Sequence, residues 1–246
     1  MRNTGLSFSI VILSISISLA QNQHQYLTER PYAVVLGIAQ DGGYPHAGCQ
    51  RDCCSSLFAS RQKGAMVSCL ALVDPETNQR WIFDCTPDFP QQLALLDKQQ
   101  PRSDGHALLD GVFLTHAHIG HYSGLIHLGR EVIGADSVPV HAMPRMKQFL
   151  STNGPWDQLV KLENITLVDM HADQVIRLND RIEVVPIVVP HRDEYSETVG
   201  FRIVGPNKSI LFVPDIDKWE KWDLYIEALV EEVERSYLDG TFYSES

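Results

Sequence analysis

Hydrophobic residues occur along the chain in short runs that are separated by polar segments containing glycine and proline. Nine of these runs are rich in valine, isoleucine and phenylalanine and are bounded by Gly, Pro, Asn or Asp, which is typical of β-strands. The strands are predicted at residues 32–38, 66–73, 81–84, 111–115, 138–141, 165–168, 182–189, 199–204 and 209–213.

Helices are predicted between some of these strands, at residues 89–98, 121–133 and 145–150. The clearest helical pattern covers residues 219–235, where apolar side chains recur every three or four residues and acidic side chains fall on the other face. We interpret its apolar positions as a stripe that faces the core: Trp219, Trp222, Ile226, Leu229, Val230 and Val233. Strands with helices among them predict an α/β fold in which helices cover two packed sheets.

The first twenty residues have the pattern of a secretory signal peptide. Met1 and Arg2 provide a positive start, residues 6–19 are uncharged, apolar and rich in serine, and Ser18-Leu19-Ala20 fits a cleavage site. We predict a signal peptide at residues 1–20 and a single domain at residues 21–246, secreted or periplasmic. An uncleaved anchor is the alternative, but the apolar run is short for a membrane span. No later run is long enough to give the mature protein a stable span.

The composition and net charge indicate which kinds of molecule the protein could bind. Hydrophobic residues make up 44% and charged residues 21% of the 246 residues, which is typical of a globular protein. The formal net charge of −11 repels phosphate backbones, and no Lys/Arg cluster offsets it, so nucleic acid is disfavoured as a partner. We expect a small-molecule substrate. The sequence carries no signal for an oligomeric state.

Three histidines follow the strand predicted at residues 111–115. His116, His118 and His121 occur at positions i, i+2 and i+5, at a corner between the end of a strand and the start of a helix. Neutral imidazoles held on such a corner are good ligands for zinc or iron. The alternative is that the three histidines have unrelated roles on the surface or in the core, which is less consistent with their clustering within six residues.

The segment His-Ala-His-Ile-Gly-His-Tyr-Ser-Gly-Leu that begins at His116 resembles the metal-binding motif His-x-His-x-Asp-His of the metallo-β-lactamase fold. The resemblance implies an αββα sandwich with a metal site at one edge, between the sheets. One position departs from the motif: residue 120 is glycine, where the family has an aspartate that binds a second metal ion. A second site then retains His121 and a shared aspartate.

Two strand ends match further ligands of that family. A predicted strand ends at His191, and another ends at Asp215. The resemblance implies a first metal on His116, His118 and His191. Asp215 would be shared with a second metal that also binds His121, and as the catalytic carboxylate it would orient water. The alternative for Asp215 is a helix N-cap, and Asp217 is a weaker candidate. The expected cofactor is zinc, one or two ions, with iron as an alternative.

A cysteine-rich loop near the N-terminus narrows the subgroup. A strand runs into the turn Asp41-Gly42-Gly43-Tyr44-Pro45, and three clustered cysteines follow. This order resembles the pyrroloquinoline quinone biosynthesis protein B family, as do the stretches Asp-Cys-Thr-Pro-Asp at residues 84–88 and Leu-Asp-Gly-Thr-Phe at residues 238–242. The resemblance implies a structural zinc on the cluster, with His46 as a further candidate. The cluster is Cys49, Cys53 and Cys54.

Two alternatives accompany this interpretation. In an oxidising compartment, Cys49 could form a disulfide with Cys53 or Cys54 instead of binding zinc. Cys69 and Cys85 lie in apolar runs and are expected in the core. The subgroup also has a last histidine ligand beyond the stretch at residues 238–242, and this sequence stops at Ser246 without it. We therefore expect that C-terminal elements of the fold are lacking.

The leading hypothesis is an exported metal-dependent hydrolase that uses a metal-bound hydroxide as the nucleophile. An iron-dependent oxidative enzyme related to pyrroloquinoline quinone biosynthesis is the second hypothesis, because histidine and carboxylate ligands with open positions also suit Fe(II). A non-catalytic binding protein is the third, suggested by Gly120 and by the missing last histidine.

Overall fold

Two β-sheets form the centre of the protein. The computed structural model describes residues 30–59, 64–102, 105–223 and 225–241, so the predicted signal peptide at residues 1–20 lies outside the described residues. The first sheet has the strand order β1 to β6, with antiparallel pairing from β1 to β3 and parallel pairing from β3 to β6. Its strands are β1 (Tyr32–Gly37), β2 (Cys69–Asp74), β3 (Gln79–Phe83), β4 (Gly111–Phe113), β5 (Val138–Ala142) and β6 (Ile165–Asp169).

The second sheet has the order β11-β10-β9-β8-β7. Its strands pair antiparallel except for β10 and β11, which are parallel. The strands are β7 (Ile176–Arg177), β8 (Glu183–Val188), β9 (Val199–Val204), β10 (Ser209–Val213) and β11 (Arg235–Leu238). All nine strands predicted from the hydrophobic runs are present, and β7 and β11 are additional.

The core lies between the sheets, where aromatic side chains from both make contact. The ring of Phe201 on β9 lies 5.3 Å from that of Phe83 on β3 and 5.7 Å from that of Phe113 on β4, both edge to face. Phe212 on β10 meets Phe83 at 6.3 Å. Edge-to-face contacts of this kind add to the free energy gained by burying the rings. Cys69 and Cys85 are buried, as expected.

Six α-helices and two 3₁₀ helices accompany the sheets in the described part of the chain. The 3₁₀ helices are Ser123–Leu128 and Trp219–Lys221. The α-helices are α1 (Asp52–Ala59), α2 (Phe89–Gln99), α3 (Ile119–Tyr122), α4 (Pro144–Thr152), α5 (Trp156–Lys161) and α6 (Ile226–Glu231). Two packed sheets with helices around them agree with the αββα sandwich expected from the sequence. Within the described ranges, no helix is long and apolar enough to cross a membrane.

The prediction of one helix over residues 219–235 is wrong. The segment is divided into the 3₁₀ helix Trp219–Lys221, helix α6 and the start of β11. Arg235 pairs with Ile210, so the last part of the segment satisfies its backbone groups at the edge of β10 instead of within a helix. Most of the apolar stripe nevertheless packs inward, because Trp219, Ile226, Leu229 and Val233 contact a buried cluster, whereas Val230 is exposed. That cluster consists of Ile187, Val189, Leu211, Val213, Ile216 and Trp222.

The helix predicted at residues 121–133 is also shorter than expected. Helix α3 ends at Tyr122, and the 3₁₀ helix Ser123–Leu128 follows. Gly124 explains the tight packing of this stretch, because a Cβ atom there would lie 2.0 Å from the carbonyl oxygen of Thr86. The chain passes too close to its neighbour for any side chain at this position.

Candidate metal centre

Three loops bring together the four ligands predicted for the first metal. His116 and His118 follow β4, His191 follows β8, and Asp215 follows β10. Nδ1 of His118 lies 2.8 Å from Nε2 of His116 and 3.1 Å from Nε2 of His191. Oδ2 of Asp215 lies 3.4 Å from Nε2 of His116, 3.3 Å from Nε2 of His191 and 4.0 Å from Nδ1 of His118. Donors about 2.05 Å from a tetrahedral ion are about 3.3 Å apart, so these spacings fit a metal site.

The charges of this group also fit a cation. Asp215 is largely buried, with 13% of its side chain exposed, and all of its ion-pair partners in the described part of the chain are histidines. No lysine or arginine among the described residues neutralises this carboxylate. Three imidazole nitrogens and one carboxylate oxygen facing a common point are a donor set that zinc and iron prefer.

Asp84 fixes the orientation of two of the histidines. Its Oδ1 accepts hydrogen bonds from the backbone N–H and the hydroxyl of Thr115, both at 2.9 Å. Because the hydroxyl donates to Asp84, it accepts from Nδ1–H of His116, 2.9 Å away. Nε2 of His116 then has a free lone pair toward the metal position. Such outer partners commonly set the tautomer and the basicity of metal-binding histidines.

A second group of donors lies beside the first. Nδ1 of His121 contacts Oδ2 of Asp84 at 2.7 Å, so its Nε2 faces away from Asp84. That Nε2 lies 3.1 Å from Oδ1 of Asp41 and 3.6 Å from Oδ2 of Asp215. Asp41, His121 and Asp215 thus form a further set of donors that could hold a metal ion. Asp215 belongs to both sets.

Asp41 is a candidate metal ligand that the sequence analysis missed. It lies in the glycine-rich turn after β1, and its Oδ1 reaches the space beside Gly120. A Cβ atom on residue 120 would lie 2.5 Å from this oxygen and 2.8 Å from Cα of Asp41. Two features of the sequence could have indicated it. The histidine motif has glycine instead of aspartate at position 120, and an acidic residue, Asp41, occurs in the glycine-rich turn.

Burial and neighbouring charges shift the pKa values of these groups. Burial, reinforced by the charge of His121, lowers the pKa of His116 to about 3, so this ring is neutral at pH 7. Burial alone would raise the pKa of Asp215 and lower that of His121. Hydrogen bonds from the four histidines instead hold the pKa of Asp215 well below its usual range. The charge of Asp84 and contacts with Asp215 and Asp41 raise the pKa of His121 well above its usual value.

The loop after His191 contributes supporting contacts. Oε2 of Glu194 lies 2.9 Å from Nε2 of His118, which orients the Nδ1 of that ring toward the metal position. Asp193 accepts a hydrogen bond from the hydroxyl of Thr198 at 2.8 Å and so stabilises the loop itself. Arg145 at the start of α4 donates to the carbonyl oxygens of Asp193 and Glu194, at 2.8 and 3.3 Å.

Two nearby acidic residues, the weaker candidate Asp217 and Asp239, lie outside both donor sets. Asp217 pairs with Lys221 and belongs to neither donor set. The side chain of Asp215 faces the histidines, and the nearby 3₁₀ helix has Lys218 at its N-cap position. Asp239, at the end of β11, accepts hydrogen bonds from Nε2 of Gln40 at 3.3 Å and from the backbone N–H of Ile216 at 3.3 Å. It therefore links the turn of Asp41 to the loop of Asp215.

The three clustered cysteines meet at the start of α1. The sulfur atoms of Cys49, Cys53 and Cys54 lie within 4.8 Å of one another, and all five cysteines of the chain are free thiols. A hydrogen bond from Cys54 lowers the pKa of the Cys49 thiol, which favours the thiolate that metals bind. His46 does not belong to this donor set.

Comparison with known proteins identifies the family. The sequence profile described as the beta-lactamase superfamily domain matches residues 79–246. The chain belongs to this superfamily. The match includes His116, His118, His121, His191 and Asp215, whereas Asp41 and the cysteine cluster precede it.

Within the superfamily, the chain is similar to proteins named coenzyme PQQ synthesis protein B. That of Rhizobium meliloti (strain 1021) is 27% identical over 233 residues, which cover 86% of this chain and 72% of the relative. That of Methylobacillus flagellatus is 26% identical over 234 residues, with 86% and 74% covered. The crystal structure of Zn(2+)-bound PqqB from Methylobacterium extorquens has a TM-score of 0.70 at 23% identity and covers 85% of this chain and 72% of that one. The predicted fold and the resemblance to PqqB are confirmed.

Proposed function

We propose that this protein is an exported metal-dependent hydrolase that acts on a small molecule. The observation that carries the proposal is the convergence of Nε2 of His116, Nδ1 of His118, Nε2 of His191 and Oδ2 of Asp215 on one point. Zinc is the expected ion, in keeping with the zinc in the structural neighbour. A metal ion bound here would supply a nucleophilic hydroxide from water at neutral pH and polarise a carbonyl or phosphoryl oxygen.

The residues around the site would each have a defined task. His116 offers Nε2 because Thr115 and Asp84 hold its other nitrogen. Glu194 does the same for His118 through the opposite nitrogen. The carboxylate of Asp215 would accept a hydrogen bond from the attacking water and orient it. Ile119 and Tyr195 are exposed and stand next in sequence to His118 and Glu194, and they would contact an apolar part of a substrate.

Metal content and hydrolysis together test the proposal. The purified parent should contain zinc and hydrolyse at least one member of a panel of chromogenic carboxylic, phosphate monoester and phosphodiester substrates. The His118→Ala variant should lose the metal of this site and the activity. His106→Ala, a change at an exposed histidine outside both donor sets, is the matched control and should keep both. Equal metal content in the parent and in His118→Ala would contradict the proposal.

Oxidative chemistry with iron is the second candidate, favoured by the 27% identity to a coenzyme PQQ synthesis protein over 86% of this chain. Histidine and carboxylate ligands also suit Fe(II) with open positions. If the purified protein contains iron and its turnover stops without oxygen, this candidate replaces hydrolysis. Turnover that needs only water, in a zinc-loaded sample under nitrogen, supports the hydrolase.

Export rests on the apolar, serine-rich stretch at residues 6–19 and the Ser18-Leu19-Ala20 sequence that follows. The test is N-terminal sequencing of the protein recovered from the periplasm or the culture medium. We expect it to begin at Gln21. Recovery of the full-length chain with the cell pellet would contradict export while leaving the metal chemistry unaffected.

A further inference from the structure

We propose that Asp41 supplies the carboxylate of a second metal position, replacing the aspartate that the superfamily motif has at position 120, so that the protein holds two neighbouring ions. This inference rests on the proposed metal centre and extends it. Glycine at position 120 then marks a relocated ligand, not a lost site.

The geometry of the second donor set supports the relocation. Nε2 of His121, Oδ1 of Asp41 and Oδ2 of Asp215 lie within 4.8 Å of one another. Oδ1 of Asp41 lies 2.5 Å from where a Cβ atom of residue 120 would stand. The oxygen therefore enters the site at the point from which a side chain at position 120 would start. Asp215 offers the same Oδ2 to both donor sets, which places the two metal positions side by side.

The turn that presents Asp41 is fixed by its neighbours. The backbone N–H of Gly43 donates to the carbonyl oxygen of Gln40 at 2.7 Å and closes the turn around Asp41. The side chain of Gln40 donates to Asp239 and to the hydroxyl of Thr241. Asp239 in turn accepts from the backbone N–H of Ile216, the residue after Asp215. The turn that carries Asp41 and the loop that carries Asp215 are thus joined by one hydrogen-bond network.

The charge balance indicates a cation at this point. Asp41, Asp84 and Asp215 all contact the single imidazole of His121, at 3.1, 2.7 and 3.6 Å. A protonated His121 would offset only one of these three negative charges. Three carboxylates gathered around one imidazole repel one another unless a further positive charge lies among them. A divalent ion held by Nε2 of His121, Asp41 and Asp215 supplies that charge, while Asp84 keeps its hydrogen bond to Nδ1.

The decisive experiment counts metal ions per chain. Apo-protein is titrated with Co²⁺ and with Zn²⁺, and native mass spectrometry gives the number bound. Electron paramagnetic resonance of the Co²⁺ form reports magnetic coupling between adjacent ions. To separate this pair from the cysteine cluster, all proteins carry Cys49→Ser. In that background we expect two ions, with coupling, for the otherwise unchanged chain, and one ion without coupling for Asp41→Ala.

Two further variants test whether loss of the second ion is due to the Asp41 carboxylate itself. Asp217→Ala removes a carboxylate that lies close in sequence to Asp215 but belongs to neither donor set, and it should keep two ions. Asp41→Asn preserves the shape of the side chain and should also lose the coupled second ion, so a folding defect in Asp41→Ala cannot hide the effect.

The outcomes separate this inference from the proposed function. One uncoupled ion in the Cys49→Ser background, lost in His118→Ala, would overturn the role of Asp41 and leave the metal-dependent hydrolase intact. Two coupled ions retained in both Asp41 variants would also overturn it. No ion at the histidine site of the parent would contradict the proposed function itself.

Discussion

Nδ1 of His121 lies 2.7 Å from Oδ2 of Asp84, and the other oxygen of the same carboxylate binds Thr115, the neighbour of His116. One fully buried aspartate therefore sets the direction of two histidines that belong to different donor sets. Asp84 has a positive φ of 68°, which is uncommon for a residue with a side chain. In this conformation the carboxylate contacts the ring of His121 directly and that of His116 through the hydroxyl of Thr115.

Replacing Asp84 by asparagine should weaken metal binding without removing a ligand. Asparagine tolerates a positive φ, but its neutral amide cannot accept from both Thr115 and His121 with the strength of a carboxylate. We expect zinc affinity to fall by about 10- to 100-fold, the range for the loss of such an outer partner. Competition with a chromophoric chelator measures it.

Asp74→Asn is the matched control for this change. Asp74 is also fully buried, but it bonds to Asn179 and Arg181, away from the metal centre. This variant should lose stability and keep its zinc affinity. Equal loss of affinity in the two variants would show that the effect of Asp84 is one of general folding.

Removing the metal should lower the melting temperature. Loops after β1, β4, β8 and β10 present carboxylates and imidazoles to one another, and an ion that binds only the folded chain stabilises it. At a free zinc concentration 100 times Kd the gain is about 2.7 kcal/mol, or roughly 5–10 °C for a domain of this size. Differential scanning fluorimetry with EDTA, followed by zinc re-addition, measures it. A reversible shift of the same size in His118→Ala would assign the effect to another site.

Gly120→Ala should disturb the turn that holds Asp41. The new Cβ would lie 2.8 Å from Cα of Asp41, and backbone at this distance has to move. We expect a loss of about 1–3 kcal/mol in the free energy of unfolding, as is typical of overpacking. Urea denaturation measures it. Gly240→Ala, where no atom of the described residues lies within 4 Å of the added Cβ, should be near neutral. A stable, metal-replete Gly120→Ala protein would argue against a rigid turn.

The cysteine cluster should bind zinc and remain reduced. A disulfide between two of its members would leave three of the five thiols reactive in the unfolded chain. We expect all five to react with Ellman's reagent after denaturation in the presence of a chelator. Cys53→Ser should release one zinc ion per chain while leaving the histidine site loaded. Three reactive thiols in protein recovered from its natural compartment would support the disulfide instead.

The sequence predicted the strands and the histidines because these signals are local. Apolar runs bounded by turn residues identified nine of the eleven strands in the described part of the chain, and the spacing of His116, His118 and His121 indicated their shared corner. The pattern at residues 219–235 has helical spacing throughout, but the end of this segment pairs with the edge of β10 as a strand. The choice between helix and strand there depends on pairing with a residue 25 positions away, since Ile210 pairs with Arg235. A local sequence pattern cannot indicate such a pairing.

Asp41 and Asp84 were missed for a related reason. Each acts at a distance in sequence: Asp84 meets His121 across 37 positions and Asp41 meets it across 80. In the sequence, the stretches that contain these two residues indicated only the resemblance to the pyrroloquinoline quinone biosynthesis protein B family. An acid in a glycine-rich turn is usually a turn residue, because its side chain can bond to its own backbone. Only the folded chain shows that this one faces an imidazole.

The contact between Gly120 and Asp41 has a consequence for how this site can change over generations. An aspartate reintroduced at position 120 would meet the backbone of Asp41 before its carboxylate reached any ion. With the turn in this position, the backbone of Asp41 and an aspartate side chain at position 120 would need the same space. Among homologues that keep this turn, we therefore expect glycine at position 120 wherever an acidic residue occupies position 41.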